Sequence, residues 1–582
     1  MGIKHFFRWF KETFEQSIKL IGPDFTLEGK IDNLLLDMNG IFHESAQKIY
    51  QYGKYEPKSL LKKRKTYLST NKNIEVFEDV CKAIDKIVNS IKPSKRLVMC
   101  VDGPAPLSKM MQQRSRRYLN KPKPDEKTFN SNTISPGTKF MDHLTKYIDY
   151  YIRKKLTFEE WKFEVVFSNE KAPGEGEHLL MSFVRSIKNR NNESFCICGM
   201  DADLIMLTLS SHIPNFWVLR EDWSKVKNKF TEPDYYAIHS LSIRKDLAEL
   251  MKWESDDYKF STERMINDFI FICFLVGNDF LPHVPGIEII EGGIDFMIDT
   301  YKKVCSSYGH LTRITKSGAE FRRSSLSVFL GTLSKYEYEI LKKKAQKRSD
   351  FFYDELLEKN IILRSEIKLS DPNGDEMEFD FDIETYRKDY YEKYFPDCED
   401  LQGLCHEYLE GMQWVLSYYT KGVSNWEWFY EHHYAPFVYD IARFTKSFSF
   451  PEGKETRPSP PYLQLMCILP PSSSNLIPTP LSTLMSSSTS EIAKYYDLNP
   501  EIDLAGKRNE WEAVVILPKI NYKVIKEYYS KNISKVDPKE RNRNKLGHNW
   551  KYIRAEKTFE YKSFYGNFIC TYETENIKFD LE

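Results

Sequence analysis

Asn33-Leu-Leu-Leu-Asp37 is a short apolar run that ends in a carboxylate, and similar runs recur through the first half of the chain. The further runs, rich in apolar and β-branched residues, are Arg96–Asp102, Phe163–Ser168, Phe195–Asp201 and Asn215–Arg220. Stretches with helical periodicity separate them, at Val76–Ser90, Ala105–Tyr118, Thr138–Arg153 and Glu177–Lys188. Because strands that alternate with helices form parallel sheets, we predict an α/β fold, a mostly parallel sheet with helices on both faces.

The composition is that of a folded protein with more than one core. The 582 residues are 41% hydrophobic and 14% aromatic, and the 84 basic side chains balance the 84 acidic ones. A nucleic-acid binder with this balance must separate its charges in space, because no overall positive field attracts the ligand.

The sequence also bears on the compartment. Cys196 and Cys198 lack the two-residue gap of a zinc or redox pair, so the ten cysteines are predicted to be buried thiols in a reducing environment. Residues 1–6 match neither a secretory signal nor a myristoylation motif. The longest apolar run, Phe269–Val276, is too short to span a membrane. We therefore expect a soluble, intracellular protein.

The texture of the chain changes twice. Residues 342–400 carry a basic run and then an acidic run, which predicts a charged linker or helical insertion. From Leu401 the chain is rich in Trp and Tyr, with a predicted loop at Pro470–Ser490 and a strand at Trp511–Leu517. The last fifty residues have no interpretable pattern. We predict three parts: residues 1–341, 342–400 and 401–582.

Acidic residues stand where predicted strands end or predicted helices begin or end. The seven are Asp37, Asp102, Glu175, Glu177, Asp201, Asp203 and Asp279. Each could simply cap a helix or occupy a turn. Taken together they indicate a site, because the working residues of a parallel sheet lie beyond the carboxyl ends of its strands.

A cluster of carboxylates needs cations. Like charges that converge on one sheet edge repel each other, and divalent ions relieve that repulsion. Oxygen ligands at this density suit Mg²⁺ or Mn²⁺ rather than zinc. Two such ions would catalyse phosphoryl transfer, so the pattern predicts a metal-dependent phosphoesterase and leaves its substrate open.

A basic helix follows the second acid. Lys109, Gln113, Arg116 and Arg117 recur at i, i+4, i+7 and i+8, which is one face of a helix. Such a face could be a solubilising surface, but no acid interrupts it. Because arginine and glutamine offer forked donors to phosphate oxygens, we favour phosphate binding.

Several stretches resemble, in family order, the Xrn family of 5′→3′ exoribonucleases. In the first region they are Gly2–Trp9, Asp37-Met-Asn-Gly40 with His43, Val101-Asp-Gly-Pro-Ala-Pro106, Lys109–Arg117, Ser135-Pro-Gly-Thr-Lys-Phe140, Pro173-Gly-Glu-Gly-Glu-His178, Asp201-Ala-Asp203 and Phe269–His283. In the second they are Tyr408-Leu-Glu-Gly-Met-Gln-Trp-Val-Leu416, Trp426-Glu-Trp428, His433-Tyr-Ala-Pro436 and Trp511-Glu-Ala-Val-Val515.

The resemblance implies a nuclease with a core like that of PIN and flap nucleases in residues 1–341 and a second, mixed helical and β region packed against it. The seven acids match the family's metal site, which holds two Mg²⁺ ions, with Mn²⁺ as a substitute. The implied substrate is single-stranded RNA with a 5′-monophosphate, degraded processively to mononucleotides, as in mRNA decay. Lys109, Gln113, Arg116 and Arg117 match the 5′-phosphate pocket. His43 matches a base-stacking residue, with Trp426 or Trp428 opposite it in preference to Trp414.

The chain departs from the family in two ways. We expect a minimal core without long C-terminal extensions, and no Cys-x-x-Cys knuckle, a feature of many nuclear members, precedes Asp268. We favour a cytoplasmic enzyme over a nuclear one, and we expect a monomer. Asp268 itself could be a second-shell group or a cap. The alternatives are a flap or structure-specific DNA nuclease and a catalytically silent RNA-binding scaffold.

Overall fold

The computed structural model describes most of the chain. It leaves out residues 1–2, 4, 24, 26, 28, 57–71, 120–128, 225–231, 317, 347–355, 357–358, 364–378, 452, 454, 498, 505–512 and 580–582. Gly2, Trp511 and much of the charged segment 342–400 therefore lie outside the described residues.

A nine-stranded sheet forms the centre of the fold, in the order β1-β7-β6-β5-β2-β3-β4-β14-β15. Five neighbouring strands, β6 to β4 in this order, run parallel, and antiparallel strands flank them on both sides. The strand bounds are β1 Ile18–Ile21, β2 Asn33–Asp37, β3 Arg96–Cys100, β4 Glu164–Ser168, β5 Phe195–Cys198, β6 Phe216–Asp222, β7 Asp234–His239, β14 Asn549–Ser563 and β15 Gly566–Ile577.

Three small antiparallel pairs complete the strands. They are β8 (Thr312–Thr315) with β9 (Gly318–Phe321), β10 (Ile361–Leu363) with β11 (Phe379–Phe381), and β12 (Glu501–Asp503) with β13 (Val514–Ile516). The strand β13 lies within the strand predicted at Trp511–Leu517, of which residues 511–512 are outside the described ranges.

Helices surround the sheet. In the first 341 residues they are Phe6–Thr13, Met38–Tyr50, Lys72–Ile91, Leu107–Leu119, Lys139–Thr157, Gly176–Ser186, Asp203–Ser210, Ser240–Met251, Thr262–Cys273, Gly293–Tyr308, Arg323–Leu333 and the start of Glu337–Gln346. Beyond them are Ile383–Tyr394, Leu401–Thr420, Val438–Phe444, Pro461–Ile468, Leu481–Leu484, Tyr522–Asn532 and Pro538–Arg541.

Alternation along the strands puts a core on each face of the sheet. In β2, Leu34 and Leu36 pack with the helices Met38–Tyr50 and Lys72–Ile91, whereas Leu35 packs with the core on the opposite face. This is the period of two that an extended backbone imposes on its side chains. The predicted fold class, a mostly parallel sheet with helices on both faces, is confirmed.

The second region shares one of these cores. Helix Leu401–Thr420 buries Tyr408, Met412 and Leu416 in the same apolar cluster as Leu180 and Leu207 of the first region. A separate cluster joins helices Pro461–Ile468 and Tyr522–Asn532 to Leu107 and Met110. The division into residues 1–341, 342–400 and 401–582 stays a prediction.

The C-terminal part is where the sequence was least informative. Asn549–Tyr552 of β14 pair with Ser168–Val165 of β4, so this hairpin extends the main sheet. Its strands alternate half-buried with exposed residues, and many of these are charged, which hid the strand pattern. Within Pro470–Ser490, predicted as loop, a 3₁₀ turn (Pro471–Leu476) and the helix Leu481–Leu484 occur.

Two further expectations concern cysteines and membranes. All ten cysteines are free thiols, and nine are buried. Within the described ranges, no helix combines the length and apolar character that a transmembrane span requires.

Candidate active site

The acids meet where the order of the parallel strands reverses. The chain passes from β2 to β3 and β4 on one side, and later places β5 and β6 on the other side of β2. A crevice opens at such a reversal, outside the carboxyl ends of the strands. Asp37 ends β2, Asp102 follows β3, and Asp201 follows β5. A Cβ on Gly176 would lie 2.9 Å from Oδ1 of Asp37 and 3.4 Å from Oδ1 of Asp102, so both carboxylates lie against that backbone.

Asp102 is held by two donors. The backbone N–H of Gly176 donates to its Oδ1 (2.7 Å), and the amide of Asn39 donates to its Oδ2 (2.7 Å). The backbone N–H of Asp102 in turn donates to Oδ1 of Asn39 (3.2 Å). Sequence reasoning missed this role of Asn39. The available signal was its place in the motif Asp37-Met-Asn-Gly40, two residues after a predicted metal ligand.

Lys109 points into the acidic cluster. Its Nζ lies 2.5 Å from Oε2 of Glu175 and 2.8 Å from Oδ2 of Asp279. All three side chains are at most 10% exposed, so this is a buried cation between two anions. The amino group predicted to bind a phosphate therefore bridges two of the predicted metal ligands in this structure.

Two tyrosines of the second region also bind acids of the cluster. The hydroxyl of Tyr418 donates to Oε1 of Glu175 (2.7 Å), and that of Tyr419 donates to Oδ2 of Asp203 (3.0 Å). Burial, with the adjacent carboxylates, raises the pKa of both hydroxyls well above the usual range, so both stay protonated donors. Sequence reasoning missed both, because no local pattern links them to acids more than 200 residues away.

Within the described part of the chain, two carboxylate oxygens of the cluster lack partners. Oε2 of Glu177 and Oδ1 of Asp203 are buried and accept no hydrogen bond from any residue that the structure describes. Buried polar atoms are normally paired, so each unpaired oxygen marks a place for a proton or a cation.

Burial and mutual repulsion shift the titration of the acids. Burial, then Asp102 and Asp201, raises the pKa of Asp37 well above its ordinary value. Burial raises the pKa of Glu175 to about 7 and, with Asp279, that of Asp203 to about 6.

The remaining acids are shifted in both directions. Burial raises the pKa of Glu177 well above its ordinary value and raises that of Asp102. Burial also disfavours the charged forms of Asp201 and Asp279, but nearby positive charge, including Lys109, lowers the pKa of Asp201 to about 2 and lowers that of Asp279. The raised pKa values indicate that the negative charge of the cluster is only partly neutralised. Lys109 supplies part of that neutralisation, beside Glu175 and Asp279.

The donor set suits a hard divalent cation, since all seven ligand candidates are carboxylates. As they stand, however, no three Asp, Glu, His or Cys side chains in the described ranges are arranged to hold a metal ion. The ammonium of Lys109 lies between Glu175 and Asp279 in this structure, and the unpaired oxygens of Glu177 and Asp203 are further potential ligands.

The rest of the basic helix borders the cluster. Nη1 of Arg117 is buried and has no partner within the described part of the chain. Burial, then the charge of Arg116, lowers the pKa of Arg117 to about 9. Gln113 lies beside Gln464 of the second region, at 3.5 Å between Oε1 and Nε2. Arg114, on another face of the helix, instead donates to the carbonyls of Cys467 and Tyr495.

The predicted stacking residues are only partly brought together. Burial, then the charges of Arg116 and Arg117, lowers the pKa of His43 to about 3, so this half-buried ring is neutral and lies near the basic face. Trp428 packs on the ring of Trp414, with centroids 5.1 Å apart. Trp426 instead lines a cavity of about 1020 Å³, which Trp414 also lines. Among described residues, no ring contact joins His43 to either candidate.

Trp414 and Asp268 have structural surroundings. Trp414 is 4% exposed, and its indole N–H donates to the carbonyl of Asn425 (2.9 Å). Asp268 is fully buried and bonded to Thr312, His310 and Tyr301 at 2.6–2.9 Å. Both carboxylate oxygens of Asp268 therefore accept hydrogen bonds within the fold, which favours a structural role over a role beside the candidate metal site.

Sequence comparisons match this architecture to a known family. The profile of the XRN 5′-3′ exonuclease N-terminus matches residues 1–222, and that of the Xrn1 helical domain matches residues 259–380 and 375–582. Similar proteins include 5′-3′ exoribonuclease 1 of Saccharomyces cerevisiae, 29% identical over 94% of this chain and 44% of that protein. The Homo sapiens protein of that name is 31% identical over 94% of this chain and 35% of its own length. The Schizosaccharomyces pombe one is 30% identical over 97% and 51%.

The chain thus spans between a third and about half of the length of these relatives. Among solved structures, the catalytic core of Rad2 in complex with DNA substrate is similar over 62% of this chain and 78% of that chain, with 14% identity and a TM-score of 0.30.

Proposed function

The chain belongs to the XRN family of 5′-3′ exonucleases, and we propose that it is a processive 5′→3′ exoribonuclease. Its proposed substrate is single-stranded RNA with a 5′-monophosphate, and its products are mononucleotides. Relatives named 5′-3′ exoribonuclease support RNA as the substrate class.

The observation that carries the proposal is the buried acidic cluster, into which the ammonium of Lys109 reaches. Keeping Asp37, Glu175, Glu177 and Asp203 ionised in this cluster costs stability, since burial and repulsion raise the pKa of all four. Perturbed acids of this kind cluster at functional sites.

The fold family implies a divalent metal ion, and the donor chemistry suits one: the gathered side chains are carboxylates, and one oxygen each of Glu177 and Asp203 is buried without a partner among the described residues. We propose two Mg²⁺ ions, replaceable by Mn²⁺, held by Asp37, Asp102, Glu175, Glu177, Asp201, Asp203 and Asp279. When bound, such ions activate a water and stabilise the leaving oxygen of a phosphodiester. Asn39 and Gly176 orient the carboxylate of Asp102 through their two hydrogen bonds.

The 5′ direction rests on the basic helix. The buried Nη1 of Arg117 has no acceptor among the residues that the structure describes, and a terminal phosphate would supply one. Arg116, Gln113 and Lys109 share its face, and Lys109 already reaches the acids. A pocket that binds the terminal phosphate beside the acids would measure one nucleotide from the 5′ end. The neutral ring of His43 would offer a surface on which any base can stack.

Three matched RNAs test the proposal: one with a 5′-monophosphate, one with a 5′-triphosphate and one with a 5′-hydroxyl. With Mg²⁺, we expect rapid degradation of the first, slow degradation of the others, and mononucleotide products. Arg117→Gln should reduce the preference for the monophosphate. Arg8→Gln is the matched control, since Arg8 has a 75% exposed side chain and pairs with Glu12 on the surface. Equal rates on the three RNAs would refute the phosphate pocket.

The same preparation separates the alternatives. A flap nuclease would cut flapped DNA faster than 5′-phosphorylated RNA. A silent scaffold would bind RNA, and Asp203→Asn would behave as the wild type does. We expect RNA to be preferred and Asp203→Asn to be at least about 100-fold slower, since one ligand of a metal pair is lost.

A further inference from the structure

Two consecutive tyrosines at the end of helix Leu401–Thr420 reach two different acids. Tyr418 donates to Glu175 at 2.7 Å, and Tyr419 donates to Asp203 at 3.0 Å. Successive side chains on a helix point about 100° apart, so one helix end can contact two separate elements. The tyrosines belong to the second region and the acids to the first.

Each tyrosine binds one oxygen of its acid and leaves the other available. In Glu175, Oε1 accepts from Tyr418, and Oε2 lies 2.5 Å from the ammonium of Lys109. In Asp203, Oδ2 accepts from Tyr419, and Oδ1 has no partner among the described residues. A hydrogen bond to one carboxylate oxygen fixes the direction of the other, and metal ligands in proteins are commonly oriented by such hydrogen bonds.

Packing fixes the tyrosine rings themselves. The ring of His178 stacks on Tyr418, with centroids 3.5 Å apart and planes at 10°. Phe274 meets Tyr419 edge-on, at 5.7 Å. Both tyrosines are 1% exposed, so neither hydroxyl can turn away to water.

We propose that Tyr418 and Tyr419 are positioning residues through which the second region orients Glu175 and Asp203 toward metal ions. The inference rests on the proposed function, because it assigns the two acids to metal binding. It gives the second region a part in the chemistry that does not require contact with RNA.

The experiment compares Tyr418→Phe and Tyr419→Phe in the full chain, because each removes one hydroxyl and keeps the ring. Tyr390→Phe is the matched control, since that buried hydroxyl donates to a backbone carbonyl, of Ala435 (2.8 Å). Mn²⁺ binding is measured without RNA, from the electron paramagnetic resonance signal of free Mn²⁺. Thermal unfolding in EDTA compares the folding of the three variants.

We expect Tyr418→Phe and Tyr419→Phe each to bind Mn²⁺ about 10-fold more weakly than the wild type, the lower end of the effect of losing such a partner. Tyr390→Phe should bind as the wild type does. With 5′-monophosphate RNA, raising Mn²⁺ should restore most of kcat in the two variants, with KM for RNA unchanged. Asp203→Asn should not be rescued in this way.

Three outcomes would overturn the inference in distinguishable ways. If the wild type binds Mn²⁺ and both Phe variants bind it equally well, the tyrosines do not position the acids, and the proposed function stands. If the wild type binds no Mn²⁺, the metal site fails, and the inference fails with it. Weaker binding in Tyr390→Phe of the same size would also overturn it, since any lost buried hydroxyl would then suffice.

Discussion

Replacement of Lys109 by methionine tests whether its ammonium neutralises the acidic cluster. The substitution keeps an unbranched side chain, one atom shorter, and removes the charge that lies 2.5 Å from Glu175 and 2.8 Å from Asp279. Because all three side chains are at most 10% exposed, water cannot replace the lost partner. Removing one member of a buried ion pair costs about 3–5 kcal/mol. We expect Lys109→Met to lose that much stability at pH 8 in EDTA.

Divalent ions should recover part of the loss. A ligand that binds the folded state alone at 100 times its Kd stabilises it by about 2.7 kcal/mol. Protonation should help as well: the pKa of Glu175 is about 7 with Lys109 present, and without that cation it should rise. The gap between variant and wild type should therefore narrow when the pH falls from 8 to 6.

Guanidinium unfolding, followed by tryptophan fluorescence, measures these differences. Lys139→Met is the control, since Lys139 has a 72% exposed side chain in a surface pair with Glu540, and it should change stability by less than about 0.5 kcal/mol. The reasoning is refuted if Lys109→Met in EDTA at pH 8 is as stable as the control.

Three further predictions concern other positions. Burial raises the pKa of Glu170 to about 7, so its ionisation costs stability as pH rises from 4.5 to 7. Glu170→Gln should therefore raise the free energy of unfolding by up to about 3 kcal/mol at pH 8 and by little at pH 4.5. An equal rise at both pH values would contradict this. Asp268→Ala should lose about 3–5 kcal/mol of unfolding free energy, because it removes the buried partner of His310 and Thr312, and its affinity for Mn²⁺ should be unchanged. Weaker Mn²⁺ binding would show instead that Asp268 supports the metal site. Trp426→Ala should weaken RNA binding, measured in Ca²⁺, by about 1–3 kcal/mol. Trp428→Ala should mainly lower the free energy of unfolding, because Trp428 packs on Trp414. The reverse pattern would make Trp428 the stacking residue and Trp426 the structural one.

The sequence sufficed for the parts of the site that local pattern controls. Asp37 and Asp102 follow apolar strands of the parallel type, and the geometry of such a sheet brings strand ends together whatever surrounds them. Helical periodicity likewise placed Lys109 and Arg117 on one face. Periodicity does not say what lies opposite that face, and for Lys109 the nearest groups in the structure are the acids.

The parts that escaped prediction depend on distant pairing. Tyr418 and Tyr419 look like ordinary core residues of an amphipathic helix, and only the packing of helix Leu401–Thr420 against the first region shows their partners. The hairpin β14–β15 escaped for a related reason: its charged, half-exposed strands are stabilised by pairing with β4 rather than by their own apolar pattern.

The pairing of β14 with β4 also has a consequence for synthesis on the ribosome. The side chain of Ser168 donates to that of Asn549 at 2.7 Å, across a separation of 381 residues. At roughly 5–20 residues per second, the ribosome needs on the order of 20–80 s to make that interval. Throughout it, one edge of β4 has no strand beside it, and the nascent chain exposes an open template for pairing with other chains. We therefore expect chaperones to protect that edge until the hairpin emerges, and chaperone dependence to be concentrated in the interval between these two strands.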